Sequence, residues 1–185
     1  MPYRITVFGG SQPKPGESAY EQALHLGSLI GEAGYTVLTG GYIGTMEAVS
    51  RGASEAGAHV IGVTCDEIEA WRPVKPNPWV AEEIRFPTLR QRLYALIESC
   101  DAALALPGGV GTMTEISLMW NLLLTAAIPP RPLITIGSGW RAVVSQLYAH
   151  NGNYIPPLQR QWLHQAPNVA TAFRQLQELL TSGKV

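Results

Sequence analysis

One nine-residue run, Pro107-Gly108-Gly109-Val110-Gly111-Thr112-Met113-Thr114-Glu115, brings together residue types that could do chemistry. It follows an apolar stretch, residues 102–106, that reads as a buried strand, and it leads into a helical pattern from residue 112 with a carboxylate in its first turns. A glycine-rich turn between strand and helix exposes backbone N–H groups at the positive end of a helix dipole, which suits a phosphate. Gly108, Gly109, Gly111 and Thr112 are the candidate donors, and Glu115 would stand beside whatever the phosphate carries. Glu115 alone has a plainer explanation, a first-turn charge matching the dipole, so the remaining residues must decide.

Two more glycine turns follow apolar runs: Gly9-Gly10-Ser11, and Thr39-Gly40-Gly41 continuing to Tyr42-Ile43-Gly44. In a parallel sheet all three turns lie at the carboxyl ends of strands, on the edge where open α/β sheets bind ligands. Neither GxGxxG nor GxxxxGK[ST] is present, so the seat is not a common dinucleotide or P-loop site.

The elements needed to position these turns are legible. Residues 5–8, 35–38, 59–63, 81–86, 102–106 and 133–136 read as strands, with a short one possible at 162–165. Helical patterns cover residues 17–33, 45–56, 88–99, 112–126, 140–149 and 168–180, the first two closed by Gly34 and Gly57. This alternation predicts a Rossmann-like, three-layer α/β/α fold, with a mainly parallel sheet and helices on both faces. Residues 71–79, with three prolines and two tryptophans, read as irregular: an ordered surface loop, or a lid or dimer contact. The helix bearing Glu115 is apolar around most of its circumference, which suits a core helix that also meets a second subunit. With no repeat or composition break, residues 1–185 read as one domain.

Composition narrows the classes. The chain is 46% hydrophobic and 15% charged with a net charge of −1, and no Lys/Arg cluster points to nucleic acid. No apolar run is long enough for a membrane helix, and no leader pattern precedes the first strand, so a cytoplasmic protein is expected. Cys65 and Cys100 are isolated and read as small buried residues. His25, His59, His150 and His164 lack metal-ligand spacing, so no metal site is expected. No cofactor is expected either.

The run Pro107 to Glu115 matches PGGxGTxxE in full, and Gly40-Gly41-Tyr42-Ile43-Gly44-Thr45-Met46 matches GGxxGxM. On these motifs the sequence resembles the Lonely Guy family, the cytokinin-activating phosphoribohydrolases and their relatives, often labelled lysine-decarboxylase-like. Val7-Phe8-Gly9-Gly10-Ser11 resembles the family's first strand and turn, and the spacing to Asp101-Ala102 puts the Arg of its Arg-Lys pair on Arg92. The resemblance implies catalysis by Glu115 and Arg92. It also implies a homodimer or higher homo-oligomer, and a ligand held by Gly10, Ser11, Gly40, Gly41, Gly44, Met46, Pro107, Gly108, Gly109, Gly111 and Thr112. Three positions depart from the pattern: Leu93 replaces the usual Lys, Glu47 the Gly after Met, and Cys65 a Pro. PLP-dependent decarboxylation finds no support, because it needs a Schiff-base lysine in the site and the chain has only Lys14, Lys75 and Lys184.

Two function classes follow. The first is a hydrolase that cleaves the N-glycosidic bond of an AMP-like or N6-modified nucleoside 5′-monophosphate, releasing free base and ribose 5-phosphate. Positive charge grows on the ribose in that reaction, and a carboxylate near the anomeric carbon stabilises it and can activate water. Arg92 could hold the phosphate or steady the leaving base, or be a solvated helix position crowded by Arg85 and Arg90. Glu47 could decorate its helix or be a second site carboxylate. The second class is a non-catalytic carrier or sensor of a nucleotide or phosphorylated cofactor, like the molybdenum-cofactor carriers that share this fold.

Overall fold

The computed structural model describes residues 2–182. Seven strands form one sheet: β1 (Arg4–Phe8), β2 (Thr36–Thr39), β3 (Val60–Cys65), β4 (Glu82–Phe86), β5 (Ala102–Ala105), β6 (Leu133–Ile136) and β7 (His164–Ala166). The order is β4-β3-β2-β1-β5-β6-β7, with every pairing parallel. The expected mainly parallel Rossmann-like sheet is therefore wholly parallel.

Alternation along the strands explains why helices cover both faces. On β1, Ile5 and Val7 pack into one core while Phe8 enters the other, and β5 divides Ala102 and Leu104 from Ala103 and Ala105 in the same way. The first core is closed by α1 (Ser18–Glu32), α2 (Thr45–Glu55) and α8 (Val169–Ser182). The second is closed by α4 (Leu89–Glu98), α5 (Val110–Leu124) and α6 (Ser138–Asn151). The central strands β1, β2, β3, β5 and β6 are buried almost throughout, whereas the edge strand β4 is polar and partly exposed.

Several boundaries differ from the sequence reading. α5 starts at Val110, two residues early, because Gly109 takes the N-cap and Met113 N–H already donates to Gly109 O at 3.0 Å. It ends at Leu124 rather than 126, as Ala126 turns to φ 53° and the chain closes through Ala127 N–H to Leu122 O. A short helix, α3 (Asp66–Trp71), was expected neither as helix nor as the owner of Trp71. Residues 72–79 are irregular, as their prolines dictate. They are pinned by buried Asn77, whose side chain donates to Gly41 O at 3.0 Å and Tyr42 O at 2.9 Å. A 3-10 turn, Gly152–Tyr154, and α7 (Pro157–Arg160) fill a stretch that showed no periodicity, and β7 lies one to two residues beyond its expected place.

Candidate active site

Strand order reverses between β1 and β5, so the crevice at their carboxyl ends is the topological switch point of the sheet. Gly9-Gly10-Ser11 leaves β1 there and Pro107-Gly108-Gly109 follows β5. The two turns are joined by Gly10 N–H donating to Pro107 O at 3.1 Å. The third turn closes in from β2, where Thr45 N–H and Oγ1 both donate to Gly10 O at 2.9 and 3.0 Å. Gly44 makes this approach possible: its φ is 77°, and a Cβ would lie 2.5 Å from Gly10 O.

A cavity of about 310 Å³ opens between these turns. Gly10, Ser11, Met46, Arg92, Gly109, Gly111, Thr112 and Glu115 line it, so eight of the expected site residues converge. The other five stand behind the wall. Gly40 backs Arg92, where a Cβ would collide with the guanidinium. Gly41 packs on Gly62 and Thr64, and Gly44 caps α2. Pro107 and Gly108 face a smaller recess beside Gly139 and Trp140. Gly41 N–H is bound to Thr39 Oγ1 at 3.1 Å.

The first turn of α5 is open to a ligand. Val110, Gly111 and Thr112 precede the first helical donor, Met113, so their N–H groups have no acceptor within the helix. Nothing lies within 4 Å of where a Cβ of Gly109 or Gly111 would be. By contrast, a Cβ on Gly108 would strike Thr112, so that glycine lets the turn fold tightly under the open one.

Glu115 lies one turn further along α5 and is only 9% exposed. Its Oε1 is 3.9 Å from Arg92 Nη1, close enough for attraction but too far for a hydrogen bond. Burial pushes its carboxyl up from 4.5 to about 7, and the nearby Arg92 offsets this only in part. Arg92 is 5% exposed and held by the chain: Nε donates to Val63 O at 2.8 Å, Nη2 to Gly40 O at 3.3 Å, and the guanidinium lies over the Tyr42 ring. It is not a solvated helix position. Arg85 instead pairs with Asp66 and Glu69 outside the cavity. Glu47 turns away and accepts from Tyr20 OH at 3.3 Å, and Leu93 does not line the cavity.

Seven wall residues lie outside the expected set, Tyr42, Trp71 and Arg72 among them. Tyr42 was read only as part of a motif, and its hydroxyl accepts from Cys65 N–H at 2.9 Å. Trp71 and Arg72, at the end of α3, belong to no motif. Their only signal was an aromatic and a cation opening the proline-rich stretch. Neither Lys14 nor Lys75 lines the cavity, and Lys184 lies outside the described residues. Among the described residues no cluster of His, Cys, Asp or Glu could hold a metal.

Sheet order, switch-point crevice and glycine turns define a Rossmann-like α/β protein with a ligand cavity over its first and fifth strands. Within that class the chain belongs to the SLOG cluster4 family, whose model matches residues 2–126. It is 30% identical to a cytokinin riboside 5′-monophosphate phosphoribohydrolase of Arabidopsis thaliana, over 95% of this chain and 81% of that one. It is 32% identical to a pyrimidine/purine nucleotide 5′-monophosphate nucleosidase of Escherichia coli, over 74% of this chain but only 31% of that longer protein. A molybdenum cofactor binding protein of Rippkaea orientalis has the same fold, with a TM-score of 0.76 and 23% identity over 97% of this chain and 98% of that one.

Proposed function

We propose that the protein is a phosphoribohydrolase that cleaves the N-glycosidic bond of a nucleoside 5′-monophosphate, AMP or an N6-modified AMP, to free base and ribose 5-phosphate. The observation that carries this reading is the Glu115 carboxyl, buried beside the open first turn of α5 with its pKa near 7. The two sequence relatives support it through the nucleotides they are named for.

In this reading the 5′-phosphate accepts from the N–H groups of Gly111 and Thr112, which leaves C1′ near Glu115. The C1′–N bond breaks with its electron pair going to the base, and positive charge spreads over the ribose. Ionised Glu115 stabilises that charge and takes a proton from water as the water oxygen bonds to C1′. The proton then passes to the base nitrogen. Arg92 attracts the carboxylate and keeps a share of it ionised.

Incubation with AMP and N6-modified AMP, with free base and ribose 5-phosphate quantified, tests the assignment; tight binding of AMP with no base released would make the protein a carrier instead. Because the ionised carboxylate is the active form, kcat/KM should climb tenfold per pH unit below about 7 and level off above it. A profile flat from pH 5 to 9 would remove Glu115 from the rate-determining protonation.

A homodimer in the cytoplasm completes the proposal. α4 and α5 pack together and carry four large exposed apolar side chains, Leu89, Tyr94, Val110 and Met113, of which Val110 lines the cavity. Both cysteines are free and buried, as suits a reducing compartment. Light scattering should return twice the 20.0 kDa chain mass, and Met113→Glu should shift it to the monomer. A wild-type monomer at micromolar concentration would refute the dimer.

A further inference from the structure

Arg72 lines the cavity with its Nε buried and unpaired, and the Glu115–Arg92 pair does not account for it. It is the C-cap of α3, and the prolines that follow are tied through Asn77 to the Gly41–Tyr42 turn, so an anchored segment carries the guanidinium. Its Nη1 donates to Ser11 Oγ at 3.3 Å, while its Nε is buried without an acceptor. A buried N–H left unpaired is costly, and a small turn of this cavity-lining side chain toward an acceptor brought by a ligand would relieve it.

Charge points the same way. Arg92 spends Nε and Nη2 on backbone carbonyls and faces Glu115 with Nη1, so its charge is largely committed within the protein. A phosphate at the first turn of α5 would otherwise meet only N–H dipoles. Ser11 follows Gly10, whose N–H is bound to Pro107 O, so the Ser11 contact ties Arg72 to the turn pair beneath that seat.

We propose that Arg72 binds the ligand's phosphoryl group through Nε and a terminal nitrogen, so that the cavity selects phosphorylated over unphosphorylated ligands. The assignment rests on the phosphoribohydrolase reading only for what the phosphate is attached to. Trp71, whose ring lies 5.6 Å from the Arg72 guanidinium carbon, offers a fluorescence reporter of occupancy.

The test titrates ribose 5-phosphate into the full chain and into Arg72→Gln and Arg72→Lys, with ribose as the unphosphorylated control and AMP kinetics in parallel. Arg72→Gln should weaken ribose 5-phosphate about 10- to 50-fold, the worth of charged hydrogen bonds. Arg72→Lys should restore part of that, because it keeps the charge and loses the fork. The AMP defect should fall on KM more than on kcat. Unchanged affinity for ribose 5-phosphate in Arg72→Gln overturns the proposal, as does a wild-type chain that binds ribose as tightly as ribose 5-phosphate. If Arg72→Gln melts well below wild type, the lysine variant decides: an affinity loss as complete as that of glutamine overturns the proposal. A chain that releases no base from AMP, yet loses ribose 5-phosphate affinity in Arg72→Gln, sinks the hydrolase reading and sustains this one.

Discussion

Glu115→Gln should lower base release from AMP by about 10³-fold or more, while ribose 5-phosphate affinity stays within a few-fold of wild type. The amide keeps the volume of the carboxyl and leaves Arg92 its two carbonyl acceptors, Val63 O and Gly40 O, so the cavity keeps its shape. In the proposed reaction, what disappears is the negative charge facing the anomeric carbon and, among the described residues, the one carboxylate that lines the cavity. Acid–base catalysis is worth about 10²–10⁴-fold, and preorganised charge stabilisation adds to it. Stability should move the other way. The folded protein holds the Glu115 proton up to about pH 7, against 4.5 for an unperturbed carboxyl. Folding therefore gains nothing from ionisation: the wild type is most favoured below 4.5, and that advantage is lost as pH rises through 7. The glutamine variant has no proton to lose, so in urea at pH 8 it should exceed wild type by about 1–3 kcal/mol, with the gap narrowing below pH 7 and closing below 4.5. A variant that retains more than a tenth of wild-type turnover would remove Glu115 from the chemistry.

Only part of this site was readable in the sequence. Backbone-dictated features were plain. Runs such as residues 102–106 announce buried strands, and glycines after them announce turns, because sheet burial and tight turns restrict residue type. The convergence of Gly10, Gly109, Gly111 and Glu115 follows from parallel order alone, since each sits at a strand's carboxyl end or just beyond it. Residues whose place depends on a side chain crossing space were not plain. Arg92 read equally well as a solvated helix position until its reach to Val63 and Gly40 was seen. Glu47 fits its motif position as a possible site acid, yet Tyr20 draws it into the contact between α1 and α2. Arg72 had no signal beyond opening the proline-rich stretch beside Trp71. α3 is six residues long, too short for periodicity to reveal, and it is held by the pairs of Asp66 and Glu69 with Arg85 and by Leu89 N–H donating to Glu67 rather than by propensity.

Gly111→Val should abolish phosphate affinity without cost to the fold, a combination that separates a ligand seat from a structural turn. At Gly108 the two cannot be separated, because a side chain there would collide with Thr112 and disturb the turn itself. Gly111 differs: it lies in the first turn of α5, its φ is not in the left-handed region, and nothing occupies the space its Cβ would enter. The thermal midpoint should therefore match or slightly exceed wild type, since replacing glycine in a helix removes a conformational penalty of several tenths of a kcal/mol. The isopropyl group would, however, fill the space over the unpaired N–H groups of Gly111 and Thr112. Losing two charge-assisted hydrogen bonds is worth about 3 kcal/mol or more, so affinity for ribose 5-phosphate should fall about 100-fold or more. Gly111→Ala should fall between valine and wild type in affinity and equal or exceed wild type in stability. If valine leaves the affinity intact, the phosphate sits elsewhere, and the sequence from glycine turn to phosphate to Glu115 loses its first step. If valine unfolds the protein, Gly111 serves the helix start, and the open space above it is not a ligand seat.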